Sequence, residues 1–403
     1  MTLLQNPQER LSGSRDNSMT KPTHLSTQEK INLGSFYTAD FLVNAVYTML
    51  KKYVDSKDYV LLDSSCGSGN FLRTEAIIKS GFAKDSFSKI IGADIDKMAL
   101  HIAKHTLDSK AILLHKNALH NVAREHFNLT QADRLIIVGN PPYNDRTSIV
   151  QNHLKNKDSI QIDSALQHRD IGISFLRSYE RLKADFICVL HPLSYLIKRA
   201  NFNALKDFTK AYRLIDSTII SSQIFCKDSK GYFPIIIALY KRDNKGMDYD
   251  YICNFKFKTI DEKEFSLKGF DYIGNYIDKY PNKKRVEKSQ VKAMFYTMRD
   301  INALRRSKTF INKENNNTIF ITKEKYSLYC YVDVFKSFLP HIPYYFGNCD
   351  VMIDFQQFKA LESHFIQASE SKILSPEISQ YFRDLLGVHY LEKVGKFNFK
   401  NKE

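Results

Sequence analysis

Tyr59-Val60-Leu61-Leu62-Asp63-Ser64-Ser65-Cys66-Gly67-Ser68-Gly69-Asn70-Phe71 decides the fold of this chain. An aliphatic run ends in an acid, passes through a turn of small residues and opens a stretch with helical spacing over 71–79, which stops at Ser80-Gly81. That is a strand, a tight turn and a helix. Gly67 and Gly69 allow the backbone to approach a ligand closely, and Asp63 sits at the carboxyl end of the strand. In an open α/β sheet that end is where ligands bind. A Gly-x-Gly turn taken alone also reads as an ordinary strand-to-helix connection.

Outward from this segment the same rhythm repeats. β-branched and aliphatic runs at 59–63, 89–94, 111–115, 135–139, 186–191 and 235–240 alternate with helical stretches at 71–79, 98–108 and 174–182. Near-continuous apolar strands interleaved with helices predict a parallel sheet covered on both faces. The second strand ends Gly92-Ala93-Asp94-Ile95-Asp96. An acid at that place can accept from ribose hydroxyls, so Asp94 is read as a ribose ligand and Asp96 as the cap of the next helix.

The sharpest signal is Val138-Gly139-Asn140-Pro141-Pro142-Tyr143. Two prolines after a buried strand stop the sheet and stiffen the backbone. They hold two acceptors, the Asn140 amide oxygen and the Pro141 carbonyl. Aimed at an exocyclic amine, the pair takes its two hydrogens and frees the nitrogen lone pair. Tyr143 offers a face on which a planar base can stack.

Composition bounds the rest. The chain has 403 residues, 43% apolar and 26% charged, which excludes a disordered chain, a collagen-like repeat and a coiled coil. Two or three domains are expected from the length. No apolar run approaches the ~18 residues of a membrane span, and the polar start lacks a signal-peptide block, so a cytoplasmic address is the default expectation. The net charge of +15 favours a polyanionic partner, usually nucleic acid, although it also serves solubility. Cys66, Cys188, Cys226, Cys253, Cys330 and Cys349 show no CxxC spacing, so they read as reduced thiols and no metal site is expected.

Residues 1–30 read as a loose leader, and 144–165 as a long polar loop. The α/β alternation ends at Arg242, and the turn-rich Asp243-Asn244-Lys245-Gly246 marks a domain boundary. Beyond it, Val291, Met294, Phe295, Met298, Ile301 and Leu304 have helical spacing. The segment from Lys283 to Lys308 carries nine basic residues against Glu287 and Asp300. Lys283, Lys284, Arg285, Arg305 and Arg306 are its candidate phosphate contacts. Tyr344, Tyr345 and Asn348 are placed in a loop suited to reading bases.

Over about residues 32–242 these motifs resemble the S-adenosylmethionine-dependent amino-methyltransferases, specifically the N6-adenine DNA methyltransferases of restriction–modification type. Gly34-Ser35-Phe36-Tyr37-Thr38 resembles the motif that closes over the methionine part of the cofactor, which implies cofactor contacts for Phe36, Tyr37 and Thr38. Asp63 to Phe71 resembles the cofactor loop, with Asp63, Cys66, Gly67 and Gly69 at the ligand, and Asp94 resembles the ribose acid. Asn140, Pro141, Pro142 and Tyr143 resemble the catalytic tetrapeptide, with Asn140 also beside the cofactor. Gly231-Tyr232-Phe233-Pro234 resembles the motif supplying an aromatic partner for the flipped base, which implies Phe233, with Tyr232 as the alternative. Two positions depart from the family: Ser64 stands where Pro is common, and Asn117 stands where an Asp usually holds the cofactor adenine. An Asn carbonyl can still accept that bond, so Asn117 is kept as a cofactor contact.

The motif order resembles the gamma class, whose C-terminal domain recognises DNA. The resemblance implies an α/β fold, a Rossmann-like, mostly parallel seven-stranded methyltransferase sheet, with a C-terminal α+β DNA-recognition domain. The expected layout is a leader at 1–30, a catalytic domain at 31–243 and a recognition domain at 244–403. It implies methyl transfer from S-adenosylmethionine to the N6 amine of a flipped adenine, with double-stranded DNA as partner and neither metal nor membrane. A cognate restriction endonuclease acting separately is the partner such a system adds. Two other readings stand beside it. One is an RNA- or protein-glutamine methyltransferase with the same Asn-Pro-Pro-Tyr chemistry. The other is a non-catalytic nucleic-acid-binding module on the same fold.

Overall fold

The computed structural model describes residues 38–54, 57–108, 110–143, 161–225 and 233–392. These residues fall into two compact units. The first runs to 220 and takes in 224–225 and 235–266; the second takes 221–223, 233–234 and 267–392.

The first unit is built on seven strands: β1 (Tyr59–Asp63), β2 (Lys89–Asp94), β3 (Ala111–His115), β4 (Arg134–Gly139), β5 (Phe186–Pro192), β6 (Tyr212–Ser221) and β7 (Pro234–Arg242). Their order is β3-β2-β1-β4-β5-β7-β6. β1 pairs parallel with both β2 and β4, β2 with β3 and β4 with β5, while β7 runs antiparallel to β5. All five residues of β1 and all seven of β5 are buried, as strands covered on both faces require. The chain leaves β1 toward β2 and β3, then returns to the other side of β1 as β4. The reversal opens a crevice at the carboxyl ends of β1 and β4, where Asp63 and Asn140 sit.

Around the sheet lie α1 (Asp40–Lys51), α2 (Thr74–Lys79), α3 (Lys97–Thr106) and α4 (Ile171–Leu182). The Asp96 carboxylate caps α3 by accepting from the N–H groups of Met98 at 2.8 Å and Ala99 at 3.3 Å, as the sequence pattern anticipated. The helix expected over 71–79 is divided. Asn70–Leu72 is a single 3-10 turn, and Arg73 is extended before α2 starts. β6 escaped the sequence reading because Arg213, Asp216 and Ser217 interrupt its apolar pattern.

The turn at Asp243 to Gly246 lies inside the first unit. The helix that follows it, Tyr249–Asn254, is tied back by the Tyr251 hydroxyl to the Leu214 carbonyl at 2.7 Å and by Tyr249 to Ile197 at 2.7 Å. Those bonds carry the compact unit on to Ser266.

The second unit mixes strand pairs and helices. Its core is aromatic: Tyr331 packs against Phe335, Phe358, Phe365, Tyr381 and Phe382. The single helix expected from Val291 to Leu304 is corrected here. Val291–Tyr296 is a strand, antiparallel to Thr318–Thr322, and the helix is confined to Ile301–Arg306. Asp300 begins that helix by accepting from the Ala303 N–H at 2.7 Å, so the apolar residues on either side of it belong to different elements. Tyr345 is also not at a loop tip: it is 2% exposed, and its hydroxyl lies 3.0 Å from His389 Nδ1. No described helix is long and apolar enough to cross a membrane.

Candidate active site

β1 delivers Asp63 into the crevice almost wholly buried, at 1% exposure. Its Oδ1 accepts the Ser65 N–H at 3.1 Å. Burial pushes the carboxyl up to about 8; the Ser65 N–H opposes the shift and the nearby Asp94 adds to it. The backbone then turns through Gly67 and Gly69, both at positive φ. At Gly69 the turn is forced: φ is +86°, and a Cβ would lie 2.7 Å from Leu107 Cδ1. Buried Cys66 joins the loop to β2 by donating its N–H to the Ala93 carbonyl at 2.9 Å, and burial raises its thiol pKa.

Asp94, at the end of β2, reaches the same loop. One carboxylate oxygen accepts the Gly67 N–H at 2.8 Å and the other the Asp96 N–H at 2.9 Å. Its pKa is raised by burial, against the pull of those two donors. Asp94 therefore holds the small-residue turn in place and keeps further lone pairs for a ligand.

β4 ends at Gly139, whose φ of +146° only glycine adopts easily and whose Cβ would lie 2.8 Å from Asp63 Oδ1. The next side chain, Asn140, is half-buried, and its Nδ2 donates to Thr38 Oγ1 at 3.2 Å. Thr38 is buried, and its carbonyl accepts Asn70 Nδ2 at 3.0 Å. One threonine thus ties the small-residue turn after β1 to the Asn-Pro-Pro-Tyr turn. With one of its amide protons on Thr38, Asn140 keeps Oδ1 buried and without a hydrogen-bond partner among the described residues. Asn70 Oδ1 is buried and unpartnered among the described residues as well. Two such buried acceptors are expensive to leave unpaired unless a polar ligand meets them.

Pro141 and Tyr143 are buried, the Tyr143 ring at 8% exposure, and burial alone raises its phenol. Asn117 follows β3, with its carbonyl oxygen accepting the Leu119 N–H at 2.9 Å and its amide donating to the Gln161 carbonyl at 2.8 Å. Phe36 and Tyr37 lie outside the described residues, as do Gly231 and Tyr232. Phe233 belongs to the second unit, where its N–H donates to Ser222 Oγ at 2.9 Å.

The basic candidates divide. Lys283, Lys284, Arg285 and Arg306 are exposed. Lys283 pairs with Glu314 at 2.7 Å and Arg285 with Asp278 at 3.1 Å. Arg305 is half-buried and donates to the Leu339 carbonyl at 2.9 Å, so part of its guanidinium holds the fold together.

Sequence reading overlooked Tyr179 of α4. Its hydroxyl is wholly buried, lies beside Ser64 and Ser65, and is raised by burial and by the Asp63 charge. It was visible only as one apolar position of an amphipathic helix. A polar tip on an inward-facing residue is the one sign that marked it.

Residues 23–201 match the family model described as N-6 DNA Methylase. No curated protein matches the chain. Among solved structures it resembles the EcoKI M protein of a type I restriction enzyme at 12% identity, covering 88% of this chain and 76% of that one, with a TM-score of 0.41. It resembles a Vibrio vulnificus YJ016 protein classed as a type I restriction enzyme modification subunit at 16% identity, covering 65% and 53%, with a TM-score of 0.40. A type I methyltransferase subunit from Streptococcus thermophilus is 15% identical over 59% and 48%, with a TM-score of 0.38. The chain spans about half the length of the Vibrio and Streptococcus proteins. The matched stretch holds the small-residue turn after β1, the acid of β2 and the Asn-Pro-Pro-Tyr turn together, so it is these segments of the chain that are similar to the N-6 DNA methylase family.

Proposed function

We propose that this chain transfers a methyl group from S-adenosylmethionine to the N6 amine of an adenine drawn out of duplex DNA, as the modification activity of a restriction–modification system. The observation that carries the reading is the Asn140 amide: Nδ2 fixed on Thr38 and Oδ1 buried without a partner among the described residues, on a proline-stiffened turn at the crevice. An acceptor held so firmly suits an exocyclic amine whose protons must be gripped as its lone pair is freed.

The residues present fit the cofactor. At Gly67 the small-residue turn leaves room at its backbone, Asp94 has lone pairs for ribose hydroxyls, and Asp63 and the orphaned Asn70 oxygen suit cationic or N–H groups. When bound, S-adenosylmethionine supplies an activated methyl on a sulfonium, whose leaving group is a neutral thioether. The protein then needs no general acid, and its work is alignment and acceptance. Tyr143 offers an aromatic face for the extruded base, worth about 1–3 kcal/mol against an unstacking cost of a few kcal/mol.

The test is transfer of labelled methyl from the cofactor to duplex DNA, to RNA and to release-factor protein, followed by nucleoside analysis. Label in N6-methyladenine of DNA supports the proposal. Label in N4-methylcytosine would overturn the adenine assignment, and label confined to RNA or to a protein glutamine would overturn DNA as substrate.

The second unit is assigned the target-recognition role on the strength of its exposed cations. Replacing Lys284 and Arg306 by Ala should lower DNA affinity for all sequences alike. It should also reduce the slope of log affinity against log salt by about two, close to one per lost phosphate contact. Arg305→Ala should instead lower the unfolding midpoint, because a guanidinium bonded to backbone carbonyls is removed. Salt-dependent binding assays and thermal melts separate the two behaviours.

A further inference from the structure

We propose that Tyr195, tied to Asp170 and backed by His191, is a positioning residue that fixes the Tyr143 end of the Asn-Pro-Pro-Tyr turn through Gly172. The proposal rests on the methyltransferase reading for its kinetic consequence, but the geometry stands on its own.

Gly172 lies in the first turn of α4, at an ordinary helical backbone angle. Glycine is a poorer helix former than alanine, and conformation gives no reason for it there. Space does. A Cβ on Gly172 would fall 3.0 Å from Tyr143 Cβ and 3.0 Å from Tyr195 Cε2, and closer still to the Tyr195 hydroxyl. Tyr143 and Tyr195 therefore converge on the one point of α4 that carries no side chain.

Tyr195 cannot retreat. It is 1% exposed, and its hydroxyl donates to Asp170 Oδ1. The same oxygen accepts the Gly172 N–H at 3.1 Å as the cap of α4. Behind the ring, His191 stacks at 5.3 Å between centroids and 9° between planes, and Tyr240 lies nearly parallel to His191 at 6.0 Å and 12°. The Pro192 carbonyl, which can only accept, lies 2.9 Å from His191 Nδ1, so Nδ1 carries the proton. Nε2 then accepts from the Tyr240 hydroxyl at 2.7 Å. Both ring nitrogens are occupied, and the imidazole is held neutral by burial.

Ordered from the sheet outward, the contacts run Tyr240, His191, Tyr195, Asp170 and Gly172, and end on Tyr143 Cβ. Thr38 anchors the other end of the catalytic turn through Asn140. With both ends held, the acceptors between them keep their aim, and misplacement of a reacting group by about 1 Å can cost about a hundredfold in rate.

The experiment compares full-length wild type with Tyr195→Phe, Gly172→Ala and the two combined. Tyr195→Phe should lower kcat about tenfold, and Gly172→Ala about a hundredfold, with the cofactor Kd within about twofold of wild type. The double variant should regain part of the rate lost in Gly172→Ala, since the hydroxyl nearest the new methyl is gone. Losses that add, wild-type kcat in Gly172→Ala, or a kcat that falls only as the folded fraction falls would each overturn the proposal. The chain contains no tryptophan, so Tyr143→Trp gives a single reporter at the turn. In that background Tyr195→Phe and Gly172→Ala should raise acrylamide quenching, whether or not the protein methylates DNA. Unchanged quenching defeats the positioning role, whereas altered quenching in a protein that methylates no DNA defeats the methyltransferase reading alone.

Discussion

Asn140→Ala is expected to lower methyl transfer by about three orders of magnitude, the scale of losing a preorganised partner for the reacting group. Cofactor affinity should stay within about threefold of wild type, because the cofactor-loop turn and Asp94 keep their own hydrogen bonds. Thr38→Val is the informative companion. It keeps the bulk of Thr38 but removes the hydroxyl that accepts from Asn140 Nδ2. The amide then loses the bond that orients it, and kcat should fall about tenfold with little change in KM. Single-turnover transfer and a separate cofactor titration check both variants. Robust transfer by Asn140→Ala would remove the assigned role of the amide.

The second large effect concerns Asp63, and it has opposite signs for stability and for binding. In the folded protein its carboxyl titrates near 8, against about 4 in an unfolded chain. A folded-state pKa raised in this way means that the native state holds the proton more tightly. The stabilisation is complete below about pH 4 and is lost as the pH rises through about 8. Desolvation is its main cause, and the groups facing the carboxyl, Asp94, Cys66, Tyr47 and Tyr179, bring no compensating cation. Asp63→Asn should therefore make the ligand-free protein more stable above neutrality, by an amount on the order of a few kcal/mol, and flatten its stability across pH 4 to 8. The same variant should bind S-adenosylmethionine at least about tenfold more weakly, since a cationic ligand is met by an amide in place of a carboxylate. Wild-type binding at pH 7 should release a proton as Asp63 ionises. Calorimetry in two buffers of different ionisation enthalpy measures that release, and melts across pH measure the stability term. A less stable Asp63→Asn protein would show that burial is not what sets this carboxyl.

Much of the site was open to reading because its elements are local. The strand that ends in Asp63, the small-residue turn, the acid of β2 and the prolines after β4 each announce themselves within about ten residues, through burial, glycine freedom and proline stiffness. The basic segment was legible as charge but not as structure. Arg305 and Arg306 are neighbours, yet one bonds to backbone carbonyls and the other faces solvent. Periodicity failed from Val291 to Leu304, because a strand and a short helix placed end to end can mimic one helical face.

The amino-acid order by itself determined the parallel sheet, the crevice at the ends of β1 and β4, and the residue types gathered there, since each depends on short-range pattern and backbone preference. Only the tertiary structure decided what those residues are free to do. Thr38 lies 102 positions from Asn140, and its hydroxyl takes up the amide nitrogen and leaves the buried oxygen unpartnered among the described residues. Asp63 holds its proton because strands from distant parts of the chain exclude water from it. Tyr143 meets Tyr195 at a helical glycine. Hydrogen bonds, desolvation and steric contact act through space, and partners far apart in the chain meet only when it folds.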